Sequence, residues 1–134
     1  MVSSRRPGTV AALFVSLFLL GEGAWGLVHP PAYGILPTNT LRAAIHLVFG
    51  VLGLLILRTG QVRGYLKIVG TIVALVGAGY FLPVIGDIIR SLLAVDRNGA
   101  LINIAVGVIA LLASRAEKHT GPREPRDRTA YKLQ

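Results

Sequence analysis

The sequence predicts an all-α integral membrane four-helix bundle, built as two tandem helical hairpins, and three observations carry that prediction. Hydrophobic residues make up 53% of the 134 residues and charged residues only 15%, against about 25% charge in a typical soluble domain. Mean hydropathy is +0.64. The apolar residues gather into four stretches with almost no polar face, bounded mostly by Arg and Lys, and about 20 such residues in a helix cross a hydrocarbon core of about 30 Å. A soluble bundle needs polar outer faces, which these stretches lack. One domain is expected at this length.

The first helix is expected over 8–28, interrupted only by Glu22. The same segment also fits a secretory signal peptide. Arg5 and Arg6 precede an apolar run over 10–20, and Ala24-Trp25-Gly26 has the small-x-small spelling of a cleavage site. Both readings stay open, because cleavage would leave the remaining helices oriented as before. The second helix is expected over 41–58, after a loop that cannot be helical through Pro30-Pro31. The third is expected over 65–84, ending around Pro83, and the fourth over 98–114. Between them, 85–95 places Ile85, Ile88, Ile89, Leu92 and Leu93 on one face, and Asp87, Arg90 and Ser91 on the other. That pattern suits an interfacial helix or an extension of the third helix beyond a kink. The tail over 115–134 mixes charges with Gly121, Pro122 and Pro125 and is expected to be largely disordered.

Fourteen basic against six acidic residues give a net charge of +8. Eleven of the fourteen fall on one side of the expected membrane: Arg5, Arg6, the turn at Arg58, Arg63 and Lys67, and the tail. Only Arg42, Arg90 and Arg97 fall on the other. The rule that cytoplasmic loops are basic then places both termini in the cytoplasm, with the lipid bilayer as the protein's first partner and nucleic acid unneeded to explain the charge.

A weak internal repeat supports the hairpins. Residues 8–13 line up with 70–75, and 46–55 with 103–112, which makes His46 and Asn103 equivalent. Counting 1.5 Å per residue, Glu22, His46, Tyr80 and Asn103 all fall about 6–10 Å from the outer edge of a ~30 Å core. They form a candidate intramembrane polar layer. Asn39, Arg42, His46, Gly50 and Gly53 share one face of the second helix, with Gly70, Ala74 and Ala78 as a small-residue stripe on the third and Gly107 on the fourth. Such faces are expected where helices meet closely in lipid. A Glu22–His46 contact is available to this layer. Its uses are interhelical hydrogen bonding or a proton or ion pathway. The first carries more weight, because the inner halves of the helices offer little beyond Thr9, Ser16 and Thr71. Ser16 is expected to bond back to its own helix.

Other chemistry is not spelled out. Gly21-Glu22-Gly23-Ala24-Trp25-Gly26 has the dinucleotide-binding spelling but sits in an apolar helix with no preceding strand. There is no cysteine, and the three histidines (His29, His46, His119) do not pair at ligand spacing. No cofactor, metal or nucleophile–base set is expected.

The second helix (Asn39-x-x-Arg42-x-x-x-His46-Leu-Val-Phe-Gly50-Val-Leu-Gly53-Leu54), with Arg63-Gly64-Tyr65-Leu66 and Asn98-x-x-x-x-Asn103-x-x-x-Gly107, resembles a bacterial family of small four-helix membrane proteins known only as a domain of unknown function. The resemblance spans about 8–114 and implies a bacterial inner membrane and four helices, but no activity. Members often carry a histidine where this chain has Arg42, and another near Asn103, so His46 stands alone. The expected role is that of a non-enzymatic accessory or structural membrane component, associating with itself or with a larger complex. The alternative is a small carrier or proton-coupled transporter working through the outer polar layer.

Overall fold

The computed structural model describes residues 6–117. Five helices follow in chain order: α1 (Pro7–Val28), α2 (Thr40–Thr59), α3 (Val62–Gly79), α4 (Ile85–Leu93) and α5 (Arg97–Ala116). Among the described residues, β-structure is limited to one isolated bridge between Ala32 and Leu36. All but α4 are long and apolar enough to cross a membrane. Their outward faces are apolar too: Phe14, Val48, Leu75 and Leu112 are each more than half exposed, as suits a surface meeting hydrocarbon rather than water. The tail expected over 115–134 lies outside the described residues except at 115–117.

Local chemistry sets the helix ends. Pro7 opens α1 in the first turn, where its missing N–H costs nothing. The Asn39 side chain caps α2 by accepting from Arg42 N at 2.9 Å, and Asp96 caps α5 by accepting from Gly99 N at 2.7 Å. Gly60 ends α2 at φ 77° with open space around its α-carbon, so glycine is needed there for its backbone angle. Only Gly60 and Gln61 then separate α2 from α3.

Three expectations change. Helix α3 starts at Val62 and ends at Gly79, earlier at both ends than the 65–84 expected; the early end follows from Pro83, which disturbs the turn before it as well as its own position. The segment 85–95 does not prolong α3: residues 80–84 turn, and α4 is a separate helix. Pro83 O accepts from Ile85 N at 2.7 Å across Val84, whose φ of 65° and ψ of −55° make a γ-turn. Ala78 is exposed, and Gly77 completes the α3 stripe instead. Seven residues return a helix to nearly the same face, whereas eight overshoot.

The helices pack as pairs, α1 mostly on α2 and α3 mostly on α5. The close approaches in the two pairs correspond. A Cβ on Gly23 would lie 2.6 Å from Ala43 O and 2.5 Å from Leu47 N, and one on Gly77 would lie 2.6 Å from Ala100 O and 2.9 Å from Ile104 N. Gly50 meets the Leu20 backbone as Gly107 meets that of Ala74, and Gly53 meets Ser16 as Gly70 meets Ala110. The α2-to-α5 correspondence keeps His46 opposite Asn103. On α1 and α3, Ser16 rather than Gly8 corresponds to Gly70, a slip of about two turns.

Between the pairs lies the core, with Ala12, Val15 and Leu19 of α1, Val62, Tyr65, Leu66, Val69 and Val73 of α3, and Val106 and Ala110 of α5. Glu117, just after α5, reaches the start of α1: its Oε2 accepts from Gly8 N at 3.1 Å, with Arg6 Nη1 3.8 Å from Oε1. A carboxylate at a helix N-terminus satisfies an orphan donor and the helix dipole together. The start of α1 and the end of α5 therefore lie together at one end of the helices.

Candidate functional site

A carboxylate, a guanidinium and an imidazole meet at the other end. Glu22 stands six residues before the end of α1, and Arg42 and His46 stand one turn apart on α2. The close Gly23 approach brings the two helices together there. Glu22 Oε1 lies 2.7 Å from Arg42 Nη2, and Glu22 Oε2 lies 3.0 Å from His46 Nδ1. Relative exposures are 1% for Glu22, 1% for Arg42 and 6% for His46. Burial this deep requires a partner for each charge. Each carboxylate oxygen thus faces one nitrogen at contact distance, while Arg42 Nε has no hydrogen-bond partner.

The loop after α1 makes this burial possible. It folds back so that Ala32 and Leu36 are buried, and Pro37 O accepts from Arg42 Nη1 at 3.0 Å. Tyr33 lies along α1, stacked on Phe18 and tilted against Trp25 at 5.8 Å from each, and its hydroxyl donates to Phe18 O at 2.9 Å. Burial raises the Tyr33 hydroxyl above its ordinary value, and the Glu22 charge pushes the same way. Asn39 Nδ2 donates to Leu92 O at 2.7 Å, tying the start of α2 to the end of α4. Gly99 leaves room for Arg42: a Cβ there would lie 3.3 Å from Arg42 Nη1.

Of the four expected layer residues, the structure brings Glu22 and His46 into contact and sets Asn103 across a cavity that His46 also lines. Tyr80 is elsewhere. It follows the last residue of α3, under the Arg90 guanidinium at 4.9 Å from its ring centroid, and makes no hydrogen bond to the other three among the described residues. Asn39, Gly50, Gly53, Gly70, Ala74 and Gly107 do lie at helix contacts. Arg42, expected on that packing face, is instead the partner of Glu22 and the largest fully buried side chain.

A second polar pair lies deeper, toward the Glu117 end. Tyr65 Oη donates to Phe49 O at 3.0 Å, and the Ser16 hydroxyl approaches it at 3.3 Å while bonding back to Ala12 O. Both press against Gly53. Gly53 was the available signal for Tyr65, because a glycine facing apolar helices needs something bulky to accommodate. Among the described residues, no group of three His, Cys, Asp or Glu could hold a metal ion. Comparison with protein-family models, curated proteins and solved structures finds nothing that matches this chain.

Proposed function

We propose that the protein is a non-enzymatic, multi-pass component of a bacterial inner membrane, an accessory or structural element whose first hairpin is locked by the Glu22–Arg42–His46 cluster. The observation that carries this reading is closure: the carboxylate faces both Arg42 and His46, and among the described residues no hydrogen bond links it to the Ser16–Tyr65 pair. A charge cluster complete in itself holds helices together, whereas a conduction path must continue. Glycine contacts throughout the bundle supply the close packing that assembly in lipid uses. Both termini are cytoplasmic on this reading. The shared end of α1 and α5 and the basic turn between α2 and α3 are consistent with that sidedness. The two hairpins form a parallel tandem repeat, supported by the matched approaches of Gly23 and Gly77 and of Gly50 and Gly107. Helix α1 remains in the mature protein, because loss of 1–26 would leave Arg42 and His46 buried without their carboxylate.

A carrier role is the second reading, favoured by the cavity beside His46 and Asn103. Reconstitution into proteoliposomes enclosing a pH-sensitive dye separates the two. The structural reading expects proton leakage equal to that of empty vesicles, and covalent crosslinking in native membranes to trap a defined oligomer or complex. A flux that Glu22→Gln abolishes while the helices stay folded establishes the carrier, and monomer alone in crosslinking removes the assembly role.

A further inference from the structure

The cavity beside the charge cluster has a volume of about 90 Å³ and lies between helices α2 and α3, which pack little against each other. Its mouth is apolar, formed by Ile45 and Phe49 of α2 and Ile72 and Val76 of α3, with Ile72 40% exposed on the outer surface. At its inner end Arg42, His46 and Asn103, each more than nine-tenths buried, add a small polar area to an otherwise apolar lining. We propose that this cavity binds the carboxyl head of a single-chain lipid acid, with the chain leaving between α2 and α3 into the surrounding hydrocarbon.

The polar end is short of hydrogen-bond partners. No hydrogen bond involves the Asn103 amide, which lines the cavity, among the described residues. His46 Nδ1 faces a carboxylate oxygen, so a ring hydrogen belongs there and Nε2 is left to accept a hydrogen bond. A carboxyl head, with one oxygen to donate and one to accept, complements His46 Nε2 and the Asn103 amide. Glu22 already offsets Arg42, so the acid enters in its uncharged form, its O–H donating to His46 Nε2 and its carbonyl accepting from the Asn103 amide. Asp96, capping α5 beside Gly99, is the other charged group near Arg42, and α3 and the end of α4 present only apolar side chains to the cavity. The volume fits a carboxyl group, being room for about three waters, and falls short of the ~150 Å³ that takes a six-membered ring. The lateral mouth makes the lipid, rather than water, the source.

The test uses the full chain in lipid nanodiscs with hexadecanoic acid as probe, and hexadecanol and acetate as competitors. Saturable one-to-one binding of the acid is expected, about tenfold tighter than that of the alcohol, with no competition from acetate. Val76→Phe, which fills the mouth, and Asn103→Leu, which removes a head contact, each weaken binding by about tenfold while thermal unfolding holds. A diazirine on the chain of the acid labels Phe49 or Ile72 in the unaltered protein, a readout independent of how the variants fold. Equal affinity for the alcohol overturns the head assignment. Acetate competing on equal terms makes the site one for soluble carboxylates and overturns the lipid source. Labelling confined to α1, or unchanged affinity in a folded Val76→Phe, places the ligand elsewhere and overturns the proposal.

Discussion

The α1–α2 hairpin and the α3–α5 hairpin close by the same contacts, yet among the described residues only the first buries a charge cluster between its helices. At the positions that the glycine approaches make equivalent, Glu22 answers to Val76, Arg42 to Gly99 and His46 to Asn103. The second hairpin shows that this helix pairing needs no ion cluster, because Gly77 against Ala100 and Gly107 against Ala74 hold it together. The second hairpin also accommodates the first: Gly99 gives Arg42 its space, and Val76 and Asn103 form the far side of the cavity next to His46. Close packing is thus the common device, and the charge cluster is an addition to it.

The largest expected effect comes from breaking that addition halfway. Glu22→Gln leaves Arg42 buried without an opposing charge, and should lower stability by about 3–5 kcal/mol, measured by thermal unfolding in detergent. Replacing the whole cluster tells a different story. Glu22→Val with Arg42→Leu and His46→Asn gives the first hairpin the apolar character of the second, and should recover most of that loss, since well-packed apolar residues often match a buried ion pair. A triple variant as unstable as Glu22→Gln would show that the cluster, and not packing, holds the first hairpin.

Packing itself should fail equally in both halves. Gly23→Ala and Gly77→Ala each push a methyl into a carbonyl of the facing helix at 2.6 Å, and each should cost about 1–3 kcal/mol. Gly64 meets nothing within 4 Å, so Gly64→Ala should gain about 0.5–1 kcal/mol from helix propensity. Unequal losses at Gly23 and Gly77 would break the correspondence between the hairpins.

What the sequence made legible follows the same division. The four spans could be read because lipid selects for length and composition, and Glu22 and His46 because depth along a helix is a simple count. Arg42 could be placed on the packing face but not joined to Glu22, because it begins an apolar run and looks like a flanking charge. What buries it is the loop from His29 to Thr38 folding back over the helix ends, and no periodicity in α2 reports that. Tyr80 had the right depth but no helix to hold it, since α3 stops at Gly79. Glu117 lay outside every apolar stretch, so its reach to Gly8 left no trace in the pattern.

Tyr65 breaks the correspondence in another way, because a residue of the second hairpin fills a space in the first. Its hydroxyl joins Phe49 O and Ser16 across three helices. Tyr65→Phe should cost about 1 kcal/mol, the worth of an interhelical hydrogen bond in lipid. Loss several times larger would make this pair, and not the charge cluster, the main link between the hairpins.

The smallest effect should come from the connections, where the two hairpins differ most. The first is joined by a loop with Gly34 at φ 75°, the second through Val84 at φ 65°, before α4 begins. Glycine adopts such angles freely, whereas a β-branched residue there is strained by about 1–3 kcal/mol. Val84 is 70% exposed, so its side chain gives little packing to offset that strain. Val84→Gly should therefore raise stability by about 0.5–1 kcal/mol, part of the relief being spent on the greater freedom of the unfolded glycine. If stability falls instead, the Val84 side chain is held by something outside the bundle, and the turn before α4 becomes a place where lipid or a partner grips the second hairpin.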